Sequence, residues 1–345
     1  MCPILTYFRS VSIGHKIKEN HMKKDFINWG IISCARIAEK SIIPSIMCSS
    51  NSKLHAISGK TEEKLEKLKE KFNPIKAYNN YEDMLTDPDI DVVYIPLPNS
   101  MHLEWVLKAA AHKKHILCEK PLACNSDEVL KMKDACEKNG VILMEAFAYR
   151  HNAVLQKVKE LIQNGVIGNI RLIEAYFSFP LQNEHDFRLV KEMGGGATYD
   201  VGCYVINLIR YLAGVEPEST VASGEINPKT GVDLSSCGIL DFGKNLKGMF
   251  YCAMNSNLRC GYRVVGDAGM IDIPQRLHAV GDLKISVIKD MGTEIITVNS
   301  HDNYALEVEH FGRCILEGEK PLISIDDSYN NMLVIDQVLS QILKK

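Results

Sequence analysis

Between residues 27 and 147 the chain alternates short apolar runs with longer stretches whose apolar positions recur every three or four residues. The runs lie at 27–33, 54–58, 92–97, 115–118 and 141–147, and Val92-Val-Tyr-Ile95 shows no alternation. Continuous apolar runs mark strands buried on both faces, and helical spacing at 61–72, 100–112 and 126–138 marks the helices laid over them. Asn99 or Ser100 and Ser126 stand where N-caps belong, and Asp87-Pro88-Asp89 forms a turn before the fourth strand. The pattern predicts an α/β, doubly wound parallel sheet, a dinucleotide-binding Rossmann domain over 27–147.

Past Arg150 the texture changes. Strand patterns at 170–179, 219–225, 236–242, 247–255, 262–265 and 283–289 are joined by only two or three helices, which predicts an antiparallel sheet in a second domain over 148–345. A helix at 197–212 stops at Gly214 with Pro217 beyond, and one at 327–343 is amphipathic through Met332, Leu333, Ile335, Val338, Leu339 and Ile342. Residues 1–26 are polar and aperiodic, with Lys16, Lys18, Lys23 and Lys24, and are expected to be a mobile extension in which Met22 is an alternative start.

Composition narrows the function. With 40 basic and 43 acidic residues the formal charge is −3, without the cationic surplus that phosphate-backbone binding requires, so nucleic acid is not an expected partner. Eleven cysteines, none in Cys-x-x-Cys spacing, read as reduced thiols of a cytoplasmic protein, and no spacing suggests a metal. No apolar run approaches the roughly 20 residues that span a bilayer, so no membrane partner is expected either.

Four segments carry chemistry. Trp29-Gly-Ile-Ile-Ser-Cys-Ala-Arg-Ile-Ala38 takes a strand through a turn into a helix. A pyrophosphate there needs free N–H groups at a helix start and small side chains around them. Gly30, Ser33, Cys34, Ala35, Arg36 and Ile37 form the candidate cradle, with Ser33 and Ala35 where glycine would be ideal; an ordinary strand-to-helix turn fits these residues equally well. The second strand ends at Ser58 and Lys60 with no acid for a ribose 2′-hydroxyl, which favours NADP over NAD, the alternative being one more solvated lysine beside Glu62, Lys64 and Lys67. His115-Ile-Leu-Cys-Glu-Lys-Pro121 delivers Glu119 and Lys120 at the carboxyl end of a buried strand, where ligands of parallel sheets sit. Gly194-Gly-Gly-Ala-Thr-Tyr-Asp-Val-Gly-Cys-Tyr204 puts Asp200 and Tyr204 on one helix face. A tyrosine works as general acid or base when a nearby cation stabilises its phenolate, and Lys120 is the candidate cation; a packed Tyr204 beside a backbone-bonded Asp200 is the alternative.

Taken in order, Lys114-His-Ile-Leu-Cys-Glu-Lys-Pro121, the Pro98-Asn99-x-x-His102 loop, Glu145-Ala-Phe-Ala-Tyr-Arg150 and the Gly194 to Tyr204 segment make the chain resemble the Gfo/Idh/MocA oxidoreductase family from about residue 27 onward. Tyr204, the Ser33-Cys34-Ala35 turn and Asn207 are similar to the dihydrodiol dehydrogenase and NADP-xylose dehydrogenase branch and unlike the inositol branch. The resemblance implies a second domain with a large, mostly antiparallel open sheet, whose exposed face joins copies into a homodimer or homotetramer. It further implies hydride transfer between NAD(P) and the CH–OH group of a sugar, polyol or dihydrodiol, a small carbohydrate-like substrate. Lys120 and Tyr204 would be catalytic, with Asp200 orienting the substrate. Leu97, Asn99, His102 and Glu119 would join the cofactor site, although Asn99 and His102 read equally as helix-capping residues. Arg150 and Asn207 would touch substrate, although Arg150 reads equally as a brace at the domain junction. Two rivals stand beside this expectation. One is a glycoside hydrolase that uses NAD transiently; the other is a non-catalytic NADP-binding sensor, which would have no use for both Lys120 and Tyr204.

Overall fold

The computed structural model describes residues 24–343, so most of the extension expected over 1–26 lies outside the described residues. The first layer is a parallel sheet whose strands, in chain order, are β1 (Ile27–Ile32), β2 (Ser52–Ser58), β3 (Lys76–Tyr78), β4 (Val92–Ile95), β5 (His115–Cys118) and β6 (Leu143–Glu145). They lie in the order 3-2-1-4-5-6, reversing between β1 and β4, and in such sheets ligands bind at the carboxyl ends beside the reversal. The five apolar runs are β1, β2, β4, β5 and β6. The unplaced third strand, β3, is a three-residue edge with no fully buried position.

The crossover helices are α1 (Ile43–Cys48), which continues a π-helical turn at Ala38–Ile42, then α2 (Glu62–Phe72), α3 (Tyr81–Leu85), α4 (His102–Ala111) and α5 (Ser126–Asn139). Two caps differ from expectation. Asn125 caps α5 by accepting from the Glu128 N–H, so Ser126 is already inside the helix. Asn99 opens a 3₁₀ turn ahead of α4, and its side chain points elsewhere, to the Gly194 carbonyl.

The second layer comprises α6 (Ala153–Gln163), β7 (Ile170–Pro180), α7 (Cys203–Ala213), β8 (Ser219–Ile226), β9 (Asp233–Asp241), β10 (Lys247–Ala253), β11 (Asn255–Gly266), β12 (Met270–Ile273), β13 (Gly281–Lys289), β14 (Gly292–Ser300), α8 (Asn303–Leu316) and α9 (Ile325–Ile342). Its eight strands run 14-13-12-11-7-10-9-8, antiparallel at every junction but the parallel β7/β10 pair. α7, preceded by a π-helical turn at Thr198–Gly202, is apolar almost all round, as a helix enclosed by protein must be, and ends at Gly214 in the left-handed region (φ 71°). α8 returns to the first layer and packs on α1, β1 and β2, where its Phe311 meets Trp29 at 5.9 Å between ring centroids. No helix among the described residues is long and apolar enough to cross a membrane.

Candidate active site

A cavity of about 810 Å³ opens at the carboxyl ends of the parallel strands, and residues of both layers line it. At its β1–β2 end the chain turns through Ser33, whose φ of 89° is unusual for a residue with a side chain and matches a position where glycine would sit without strain. The Ser33 N–H donates to the Ser58 carbonyl at 2.9 Å. Cys34, Ala35, Arg36 and Ile37 follow along the cavity wall into the helical turn at Ala38. Gly59 packs close to this turn: a Cβ at that position would lie 2.5 Å from the Cys34 sulfur, which would have to turn away. Burial raises the Cys34 pKa, so it stays a thiol. Gly30 and Ser58 lie in the strands beneath: Gly30 abuts Ile90 and Met84, Ser58 donates to the Ile31 carbonyl at 3.2 Å, and neither is among the cavity-lining residues.

Arg36, Lys40, Lys60 and Lys64 line this end, and the two acids of the lining, Glu119 and Asp200, belong to the other. The Lys60 ammonium lies 5.2 Å from the Tyr81 ring centroid. Along the middle run Leu97, Pro98 and Asn99, whose side-chain amide donates to the Gly194 carbonyl at 2.8 Å and ties the first layer to the triple-glycine segment. His102 is fully buried and outside the lining; its ring nitrogens lie 3.0 and 2.9 Å from the carbonyl oxygens of Pro121 and Leu97, so it fastens the loops after β4 and β5 together.

At the far end Lys120 and Asp200 meet. The Lys120 ammonium donates to the Asp200 carbonyl at 2.7 Å and to Asp200 Oδ1 at 3.1 Å, and sits 4.9 Å from the Tyr204 ring centroid. Asp200 Oδ2 accepts from Arg188 Nε at 2.7 Å. Burial works against the charge of Asp200, but Lys120 and Arg188 outweigh it and hold the carboxyl below its ordinary range. Burial likewise opposes the Lys120 cation, and Asp200, with Cys203 and Glu119, outweighs it and leaves the ammonium above its usual value. Both groups are therefore charged at neutral pH. Tyr204, 8% exposed, packs edge-on to Phe147 (5.3 Å), Tyr149 (5.6 Å) and His278 (5.7 Å). Burial pushes its phenol well above 10, with Tyr304, Glu119, Cys203 and Asp200 adding to the shift, so Tyr204 stands as the protonated acid while Lys120 is engaged by Asp200.

Arg150 and Asn207 come together with each other but not with the cavity. Arg150, 4% exposed, donates to Asn207 Oδ1 at 3.1 Å and Asp327 at 2.8 Å, and the Tyr149 hydroxyl donates to the same Asn207 oxygen at 2.6 Å. They form a brace under α7. Residues that sequence reasoning missed are Phe187, Arg188 and Tyr304, all in the lining. The triple glycine makes room for the loop that carries Phe187 and Arg188: the Gly196 N–H donates to the Arg188 carbonyl at 2.9 Å, and a Cβ on Gly195 would come within 2.8 Å of the Arg188 carbonyl carbon. Among the described residues one acid–histidine group converges, His55 with Asp87 and Asp89, but Lys76 bonds both acids (3.0 and 3.2 Å) and Tyr78 donates to Asp87 at 2.8 Å, so a lysine occupies the place of a cation.

Comparison with known proteins agrees with this architecture. Residues 27–147 match the model of the GFO/IDH/MocA oxidoreductase family, described as an NAD-binding Rossmann fold, and residues 155–272 match that family's C-terminal domain. The chain is 32% identical to a D-xylose 1-dehydrogenase (NADP(+)) of Haloferax volcanii over 90% of its own length and 95% of the relative's. It is 31% identical to a trans-1,2-dihydrobenzene-1,2-diol dehydrogenase of Xenopus laevis over 91% and 97%. Among solved structures, a 3-ketoreductase from Actinomadura kijaniata in complex with NADP and TDP-benzene superposes with a TM-score of 0.87 at 25% identity, covering 92% of this chain and 98% of that one. With its parallel cofactor layer, its eight-stranded second sheet and the Glu119-Lys120-Pro121 and Asp200 to Tyr204 segments facing one cavity, this chain is a member of the Gfo/Idh/MocA oxidoreductase family.

Proposed function

We propose that this oxidoreductase moves a hydride between the nicotinamide of NADP and a CH–OH carbon of a sugar, polyol or dihydrodiol-like substrate. The observation that carries this is the meeting of Lys120, Asp200 and Tyr204 at one end of a cavity whose other end is a small-residue turn flanked by four cations. When bound, the cofactor supplies the hydride donor or acceptor. The turn at 33–37 would hold the pyrophosphate, and Arg36 and Lys60, with Lys40 and Lys64 nearby, would hold the 2′-phosphate.

In reduction Tyr204 gives its phenol proton to the substrate oxygen as hydride arrives at carbon; in oxidation its phenolate takes the hydroxyl proton as hydride leaves. The Lys120 ammonium stabilises the negative charge that develops on that oxygen, and Asp200, itself fixed by Arg188, sets the position of Lys120 and offers an acceptor to a neighbouring hydroxyl. The xylose and dihydrodiol relatives share more identity with this chain than the dTDP-sugar 3-reductase of Streptomyces violaceoruber at 27%, which favours small polyhydroxylated or cyclic diols over sugar nucleotides. The reading extends to assembly: Val221, Ile239 and Met249, paired across β8, β9 and β10 on the exposed sheet face, would be covered in a homodimer or homotetramer.

The experiment is a panel of pentoses, hexoses, deoxysugars and dihydrodiols with NADP or NAD, followed by the absorbance of the reduced ring. Turnover of at least one with NADP is expected; none in either direction overturns the assignment. Arg36→Ala combined with Lys60→Ala should raise the Kd for NADPH about 10- to 100-fold by removing charge-assisted contacts, and shift that for NADH less than about threefold. Equal losses for both cofactors in a fluorescence titration would remove these residues from the 2′-phosphate.

A further inference from the structure

α8 carries two side chains buried without a protein partner. Among the described residues, both carboxyl oxygens of Glu307 and both amide atoms of Asn303 lack one, although Glu307 is 0% and Asn303 1% exposed. They stand one turn apart and so share a face, which one turn later sets Phe311 on Trp29, whose indole N–H is also unpartnered. Buried polar groups left unmet are costly, and a helix that repeats them on successive turns has a use for them.

The ionisable groups facing Glu307 are Glu119 after β5, Tyr94 on β4 and Tyr304 on α8 itself. Tyr94 donates to Glu119 Oε1 at 2.5 Å and the Lys120 N–H to Oε2 at 3.2 Å, while Lys120 and Asp200 are the further charges that bear on Glu119. Glu119, Tyr204 and Tyr304 all line the cavity. At the other end, Asn303 follows the exposed pair His301 and Asp302. Polar residues thus stand along α8 from its exposed start through Asn303 to Glu307, which feels the charge of Glu119, and Glu119 lines the same cavity as Tyr204.

We propose that Glu119 and Glu307 share one exchangeable proton and exchange it between Tyr204 and solvent, a role that rests on Tyr204 being the acid and base. Before oxidation Tyr204 hands its phenol proton to the ionised member of the pair. It then takes the substrate's hydroxyl proton while the hydride, with its electron pair, leaves carbon for the nicotinamide. The pair releases its proton to water, one per turnover, and reduction runs the same steps backwards. Burial, reinforced by the Glu119 charge, raises the Glu307 carboxyl above its ordinary range and so favours its protonated form.

Glu307→Gln keeps the shape of a neutral acid but cannot give up a proton. In weakly buffered solution with an indicator dye, wild type should release a proton when NADP⁺ binds and none when NADPH binds, because only the oxidised ring brings positive charge beside the pair. The Gln variant should lose that release, and with it the pH dependence that the release imposes on the Kd for NADP⁺. In turnover it should show kcat lower by about tenfold, a displaced pH profile and a larger solvent deuterium isotope effect, with KM and Tm retained. Wild-type proton release, profile and isotope effect in the variant would overturn the proposal. So would the absence of release from wild type at every pH from about 6 to 9, a measurement that needs no variant. Should no substrate of the panel turn over, the functional assignment fails by itself, and proton release on NADP⁺ binding still decides the pair.

Discussion

Lys120→Met is expected to lower kcat about a thousandfold while leaving the Kd for NADPH within about threefold of wild type. The ammonium is held by two contacts to Asp200 and sits 4.9 Å from the Tyr204 ring centroid, so its charge is placed where a reacting oxygen would approach the phenol. Methionine fills the volume of the lysine stem without the charge. Asp200 keeps its 2.7 Å bond from Arg188 Nε, so the buried carboxylate is not stranded, and the loss of stability should stay near 1 kcal/mol, far less than removal of both partners would cost. A structural lysine would give the opposite pattern, a lower Tm with kcat preserved. Single-turnover hydride transfer, followed at the reduced-nicotinamide band, separates the two, and near-normal turnover would remove Lys120 from the chemistry.

Much of this site was legible in the sequence because parallel sheets couple order to place. Once 92–97 and 115–118 are read as buried strands, Leu97 and Glu119-Lys120 must emerge at their carboxyl ends, and the structure lines the cavity with all three. The same rule over-reached at Gly30 and Ser58, which belong to the right strands but lie three residues and one residue short of the cavity lining. Arg150 and Asn207 are polar, adjacent to motifs and buried together; one-dimensional spacing does not tell a side chain aimed at a ligand from one aimed at Asp327. Arg188 and Tyr304 were invisible for a different reason. A loop docked on three glycines brings the first and a helix returning from the second layer brings the second, and neither arrangement has a local period. Short β3 carries too few apolar positions to register as a run.

Tyr204→Phe should lower kcat about 10²- to 10⁴-fold in both directions, with folding nearly untouched. The ring's neighbours Phe147, Tyr149, Phe177 and His278 contact an aromatic face and edge that phenylalanine also presents, so stability should change by less than about 1 kcal/mol. The pH dependence gives the sharper result. Burial holds the phenol protonated well above 10, so across neutral pH the acid form is fully populated and reduction should be flat. Oxidation draws on the scarce phenolate, so its kcat/KM should climb with pH, by up to about tenfold per unit, until the group ionises in the complex. Lys120, raised above its ordinary value once Asp200 has outweighed burial, stays cationic through this range and adds no second inflection. In the phenylalanine variant the residual oxidation should lose its slope. A slope that survives the substitution would mean that the base is some other group, with Tyr204 serving only to pack the wall of the cavity.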